Sequence, residues 1–285
     1  MKTFWLTVIW VAGCAAGLAL GQSVEYADEE IEFAPAPDRP LEVQIRVDAG
    51  EVLIEPSATA GKGAVSLEYL TDKFKSRVEF DEERNRLRVD VRGRGWNKWS
   101  DAGDHPAVLM VTLPTDTDIR LDTRLKAGEM TQNLGGLRIT GYHLSNWAGE
   151  IQVRFDQPNP VVMDFFDADV KIGEAHFARL GNARFQKADI NGGIGELEVD
   201  FSGDLISRSQ ARVDLDIGEA RIVLPSATGT RLQIGGAFSF LSAKEIDSDF
   251  QKRNRYYYSS DYDSAETKFA VRVTPGLGEL RIDRE

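Results

Sequence analysis

Cysteine is almost absent. The only one, Cys14, sits in an apolar N-terminal stretch. A single cysteine cannot close an internal disulfide, so the fold must rest on its core. A thiolate zinc site is improbable for the same reason. Histidine is scarce too: His105, His143 and His176 fall at different phases of the repeat described below, so they are not expected to converge on a metal. Positive charge is in deficit, 34 Lys+Arg against 46 Asp+Glu, which leaves a net charge of -12. That balance argues against nucleic acid and anionic membrane surfaces as partners, because both need a basic footprint; a local basic patch remains compatible with it. No segment of useful length has a helical period, which weighs against a doubly wound α/β fold. Gly-x-Ser-x-Gly, a Walker loop and His-Glu-x-x-His are all missing.

At the N-terminus Lys2 precedes an apolar run from Phe4 to Leu20, and Ala19-Leu20-Gly21 is an acceptable small-x-small cleavage site. Residues 1–21 therefore read as a signal peptide and the protein as exported. Val11-Ala12-Gly13-Cys14 also looks like a bacterial lipobox, so lipidation of Cys14 is an alternative, and it is the only expected route to a membrane. Residues 22–40 are acidic and then proline-rich, with Pro35, Pro37 and Pro40, and read as an extended tether or a disordered terminus.

From Leu41 apolar residues alternate with polar ones, the pattern of half-buried strands. Val213-Asp214-Leu215-Asp216-Ile217-Gly218-Glu219-Ala220-Arg221-Ile222-Val223-Leu224-Pro225 shows the repeating unit most clearly. Val213, Leu215 and Ile217 are expected on one face, which Ala220 and Ile222 resume after a slip of one residue at Gly218-Glu219. Such a slip flips the following side chains unless the backbone turns there. Glycine suits the corner because it reaches positive φ without a Cβ clash. The same Gly-Glu pair occurs at Gly50, Gly128, Gly149, Gly173, Gly195, Gly218 and Gly278. The five central copies lie 21, 24, 22 and 23 residues apart. Weaker second corners follow at Gly135-Gly136, Asn159-Pro160, Gly181-Asn182, Ser202-Gly203 and Thr228-Gly229. Two short strands and two corners per repeat predict an all-β, single-stranded β-helix-like solenoid over residues 41–285, with rungs of about 22 residues. Residues 244–264 interrupt it as a tyrosine-rich insertion.

The Asp-hydrophobic-Gly-Glu-x-x-hydrophobic units resemble the bacterial putative-adhesin family, also called toast-rack, whose domains have no known function. Val213 to Pro225, with Gly229 to Gly236, resembles the closing rungs of the same domain in cell-wall-stress response proteins. Pro275-Gly276-Leu277-Gly278-Glu279-Leu280-Arg281-Ile282 is similar to their last strand. The resemblance spans about residues 41–285 and is best from Leu121 on. It implies a solenoid in the envelope or outside the cell and transfers no catalytic residue, cofactor or metal. The transmembrane region of the stress-response relatives has no counterpart here.

Among candidate sites, the insertion is the strongest. Arg253, Arg255, Tyr256, Tyr257, Tyr258 and Tyr262 combine the residue types enriched at binding hot spots. Their alternative is an ordinary mobile loop whose tyrosines fold back. Trp96 and Trp99 are a second, smaller candidate, but read better as a hydrophobic lid on the open N-terminal end of the core. Glu129, Glu150, Glu174, Glu196 and Glu219 should stack outward in a row. A cation ladder is one reading; a solvated row with Arg138, Arg184 or Arg221 nearby is preferred, since no calcium-loop signature is present. Asp164, Asp167 and Asp169 could serve a carbohydrate-active enzyme, a lyase or hydrolase on a β-helix, but read better as outward residues of an alternating strand. The expectation is a non-catalytic envelope or surface scaffold, in the periplasm, cell envelope or outside the cell, that binds a protein or glycan and needs no cofactor.

Overall fold

The computed structural model describes residues 25–95, 107–235 and 243–285. The readings of the leader, Cys14, Trp96, Trp99 and His105 lie outside the described residues.

The described strands are β1 (Tyr26–Phe33), β2 (Leu41–Pro56), β3 (Gly63–Leu70), β4 (Phe74–Asp81), β5 (Arg86–Gly93), β6 (Ala107–Leu113), β7 (Asp118–Asn133), β8 (Arg138–Arg154), β9 (Met163–Ala178), β10 (Phe185–Asp200), β11 (Ser209–Leu224), β12 (Gly229–Ile234), β13 (Ala243–Ile246), β14 (Phe250–Arg253), β15 (Tyr256–Ser259) and β16 (Lys268–Arg284). The only helical element among the described residues is a 3-10 turn at Leu180–Ala183. The protein is all-β, built on one mixed sheet with the strand order β1-β3-β6-β2-β7-β8-β9-β10-β11-β16-β12-β15-β14. The long strands β2, β7, β8, β9, β10, β11 and β16 run parallel, each with a Gly-Glu corner at its middle.

The corner glycines form one column: Gly50 beside Gly128, then Gly149, Gly173, Gly195, Gly218 and Gly278. Their φ angles run from 121° to 156°, backbone that side-chain-bearing residues rarely adopt. A Cβ at each of Gly128, Gly149, Gly173, Gly195, Gly218 and Gly278 would also strike the carbonyl oxygen of the preceding glycine in the column. Conformation and stacking thus impose the same residue at the corner of each long strand.

The corner divides each long strand into two arms whose inner faces meet. Phe166 on the first arm of β9 packs edge-on against Phe177 on its second, with centroids 5.7 Å apart. Tyr142 of β8 stacks on Phe166 at 4.6 Å. Val213, Leu215, Ala220 and Ile222 are buried as the alternation requires. Ile217 is not: it is 45% exposed and stacks in register with Ile172, Ile194 and Leu277, all near half exposed. The turn occupies Asp216 to Glu219, so the apolar face stops at Leu215 and resumes at Ala220. A period-2 pattern continued up to the glycine puts Ile217 inside; the convex corner turns it out.

Gln132 is a polar residue in the inward pattern and is fully buried. Its Oε1 accepts from Tyr142 Oη at 3.2 Å, and its Nε2 donates to Thr123 Oγ1 at 3.3 Å. The return loops carry buried asparagines. Asn159 Nδ2 donates to Ile139 O and Ala183 O, and Asn182 Nδ2 donates to Phe155 O, so backbone groups inside the loops are satisfied.

At each end of the run of long parallel strands, two shorter strands pair with the two arms of the outermost one. β5 covers the first arm of β2 and β6 the second. At the other end β12 and β13 cover the two arms of β16, which runs between β11 and β12 although it is last in the chain. Antiparallel strands then follow these shorter strands, β4 on β5, β3 and β1 beyond β6, and β15 and β14 beyond β12. Part of the stretch read as a tether is therefore strand β1. Its Ala27, Ile31 and Phe33 pack on the core, while Glu29 accepts from Tyr69 Oη at 2.8 Å.

Candidate functional site

The insertion folds as a hairpin. β14 and β15 pair antiparallel and are joined at Asn254-Arg255, with Asn254 in the left-handed region at φ 59°. Asparagine tolerates that conformation better than most residues. β15 pairs with β12 through Arg231 opposite Tyr258, so the hairpin extends the sheet. Phe250 anchors it in the core, and Ser259 Oγ accepts from Thr230 N at 2.9 Å.

Strand alternation splits the tyrosines. Tyr257 packs against the core, with Lys252 Nζ 5.5 Å from its ring centroid. Tyr256 and Tyr258 face the other way, 6.2 Å apart, and Tyr262 lies 4.8 Å from Tyr258. Cations sit over these rings: Arg231 at 5.2 Å and Arg255 at 5.0 Å from Tyr256, Arg253 at 5.3 Å from Tyr258, and Lys268 at 4.6 Å from Tyr262. Of the sequence candidates, Arg253, Arg255, Tyr256, Tyr258 and Tyr262 come together and Tyr257 does not.

Next to this cluster a groove of about 570 Å³ crosses the outer face of the first arms, from Phe165 to Tyr256. Lys187, Gln210, Arg212 and Arg272 line it, together with Arg231 of β12. None of these five stood out in the sequence. Lys187 and Gln210 lie eight residues before their corner glycines, and Arg212 and Arg272 lie six before, so aligning the repeats on Gly195, Gly218 and Gly278 was the available signal. Asp189 opens onto the same groove; burial pushes its carboxyl above the usual carboxylate range, Asp167 and Asp214 add to that, and Arg212 opposes it.

Other candidates stay apart. The Gly-Glu glutamates stack in register from Glu51 to Glu279. The arginines expected near them bind elsewhere: Arg138 to Asp118 at 2.7 Å, Arg184 to Asp204 at 3.7 Å, and Arg221 to Glu198 and Asp283 at 2.8 and 2.9 Å. Asp167 Oδ2 lies 3.0 Å from His143 Nδ1, and His176 Nδ1 lies 3.3 Å from Glu198. Asp169 pairs with Lys171 at 2.8 Å. Among the described residues no three His, Cys, Asp or Glu side chains gather as a metal site.

A repeated Gly-Glu corner on stacked parallel strands defines an all-β repeat protein. Residues 22–177 match the family model of the N-terminal domain of toast_rack, DUF2154, and the chain belongs to that family. Among curated proteins none matches. Solved structures similar to the chain include a putative cell adhesion protein from Clostridium sporogenes, 13% identical over 90% of this chain and 100% of that one, with a TM-score of 0.43. A putative adhesin from Parabacteroides merdae is 11% identical over 92% and 97%, with a TM-score of 0.37. One from Bacteroides fragilis is 9% identical over 90% and 96%, with a TM-score of 0.34. Likeness at this level transfers no role to the chain.

Proposed function

We propose that the protein is an exported, non-catalytic β-solenoid with rungs of about 22 residues, which presents its tyrosine hairpin to a protein or glycan of the envelope or cell surface. Residues 1–21 act as the leader in this reading, with a lipid on Cys14 as the alternative. The observation that carries it is the cluster of Tyr256, Tyr258 and Tyr262 with Arg231, Arg253, Arg255 and Lys268, ordered by a hairpin anchored in the core. Ring-stacked guanidiniums are already oriented, so a ligand that engages them orders little further side-chain freedom. The enzyme alternative has less support, because Asp167 and Asp169 are tied to His143 and Lys171.

The test is capture from envelope extract by the immobilised full chain, with reversible cross-linking and analysis of both protein and sugar. It is compared with a Tyr256→Ala/Arg255→Ala variant. Deleting the whole hairpin would remove Phe250 from the core, so point changes are used. A component held by the parent chain and lost by the variant is expected. Identical capture by both would overturn the reading.

A further inference from the structure

We propose that the ligand is an acidic glycan strand, lying in the groove across β9, β10, β11, β16 and β12; this rests on the binding role given above to the neighbouring hairpin.

The groove is built from two outward rows of side chains. One runs Phe165, Lys187, Gln210 and Ala270, and reaches Arg231 on β12. The other runs Asp167, Asp189, Arg212 and Arg272, and reaches Gln233. The small Ala270 side chain leaves the hollow between Gln210 and Arg231. Four interstrand steps cover roughly 19 Å, so the shape suits an elongated chain better than a compact molecule.

Charge points to the sign of the ligand. Arg212 is engaged by Asp214 at 2.7 Å and Arg231 is stacked on Tyr256, but Lys187 and Arg272 have no ion-pair or hydrogen-bond partner among the described residues. In a chain of net charge -12, two free cations in one groove stand out. Gln210 and Gln233 are equally without partners there and can donate to and accept from hydroxyl groups. At the far end Phe165 is 43% exposed, and it lies so close to Gly141 that a methyl there would meet its ring at 2.8 Å. It offers a flat apolar surface of the kind on which a sugar ring stacks. Guanidinium and ammonium groups for carboxylates, amides for hydroxyls and one open ring are the parts an acidic polysaccharide would use.

A peptide fits less well. Most of the groove crosses β9, β10, β11 and β16, each flanked by a paired strand on both sides, so a peptide would find no sheet edge to join there.

The test is fluorescence polarisation with the full chain and three labelled probes: oligogalacturonate, a neutral cello-oligosaccharide of matched length, and poly-glutamate. Oligogalacturonate should bind, and binding should weaken as salt rises. A Lys187→Gln/Arg272→Gln variant should weaken it about tenfold or more, and Phe165→Ala should weaken it without changing the salt dependence. All three positions are exposed, and circular dichroism checks that the variants fold. Equal binding of the neutral probe would overturn the acidic specificity while leaving the hairpin reading intact. Poly-glutamate binding as tightly as the sugar would overturn the glycan. Oligogalacturonate binding that depends on Tyr256 but not on Lys187 and Arg272 would overturn the groove and keep the hairpin. No binding by any probe would overturn this inference alone, since envelope capture tests the hairpin separately.

Discussion

The guanidinium of Arg284, near the end of β16, donates to the carboxylate of Asp261 at 2.7 Å, in the turn that follows the tyrosine hairpin. It also pairs with Asp249, before β14, and donates to Ser226 O at 2.8 Å and Thr228 O at 3.3 Å. One side chain, 8% exposed, thus joins the last strand to both sides of the hairpin and to the loop before β12.

Removing that guanidinium should loosen the hairpin more than the stack. Arg284→Ala takes a charged donor from two partly buried carboxylates and two carbonyls, at an expected cost of about 2–3 kcal/mol. Hydrogen exchange should speed up in β14 and β15 and change little in β8 and β9. Uniform protection in all four strands would show that the pairing does not hold the hairpin.

The corner column makes a sharper prediction. At Gly195 an added methyl would meet the Gly173 carbonyl oxygen in a backbone at φ 141°. Strain and overpacking together should cost about 3 kcal/mol or more in Gly195→Ala. Gly235, where an added Cβ meets nothing within 4 Å, is the control and should tolerate alanine. Urea unfolding of both variants checks this; equal midpoints would refute it.

That column was legible because one residue type is forced at the corner of each long strand, and the repeat spacing then sets the register. Lys187, Gln210, Arg212 and Arg272 could have been read by the same alignment, since their strands keep the corner. Arg231 and Gln233 could not, because β12 lacks a Gly-Glu pair and lies beyond β16, out of chain order. β1 escaped notice for another reason. Its inward Glu29 breaks the apolar alternation and reads as part of an acidic run until Tyr69 is seen to bond it. Ile217 was misplaced because periodicity carries no information about how far a corner extends.

Gln132 breaks the inward apolar pattern, yet replacing it alone should be harmful. Gln132→Leu would leave the buried Tyr142 hydroxyl without its acceptor, at an expected cost of about 1–3 kcal/mol. Tyr142→Phe in the same chain removes the orphaned group and should recover most of the loss. Thermal denaturation of the two singles and the double forms the cycle. Strictly additive losses would mean that the pair does not act as a unit.

Acid should destabilise the C-terminal end through Asp249 and Asp283. The Ser260 side-chain hydrogen bond, helped by its backbone N–H and Arg284, holds Asp249 below its ordinary value of 3.8 against the opposing effect of burial. Burial likewise opposes the shift of Asp283, but Arg281 and Arg221 hold it below 3.8. A carboxyl lowered on folding stabilises the folded state fully above its unfolded pKa, and the gain is lost as pH falls through the folded value. Stability from this pair should therefore be level above about pH 5 and decline below about pH 4. Asp189 acts in the opposite sense. Its raised carboxyl favours the folded chain at low pH, and that contribution fades as pH rises through its folded value. Urea midpoints between pH 3 and 7 separate the two. Asp189→Asn should lift the neutral-pH plateau, whereas Asp249→Asn should lower the plateau and flatten the acid limb. A steep acid limb retained in Asp249→Asn would place the acid sensitivity in other carboxylates.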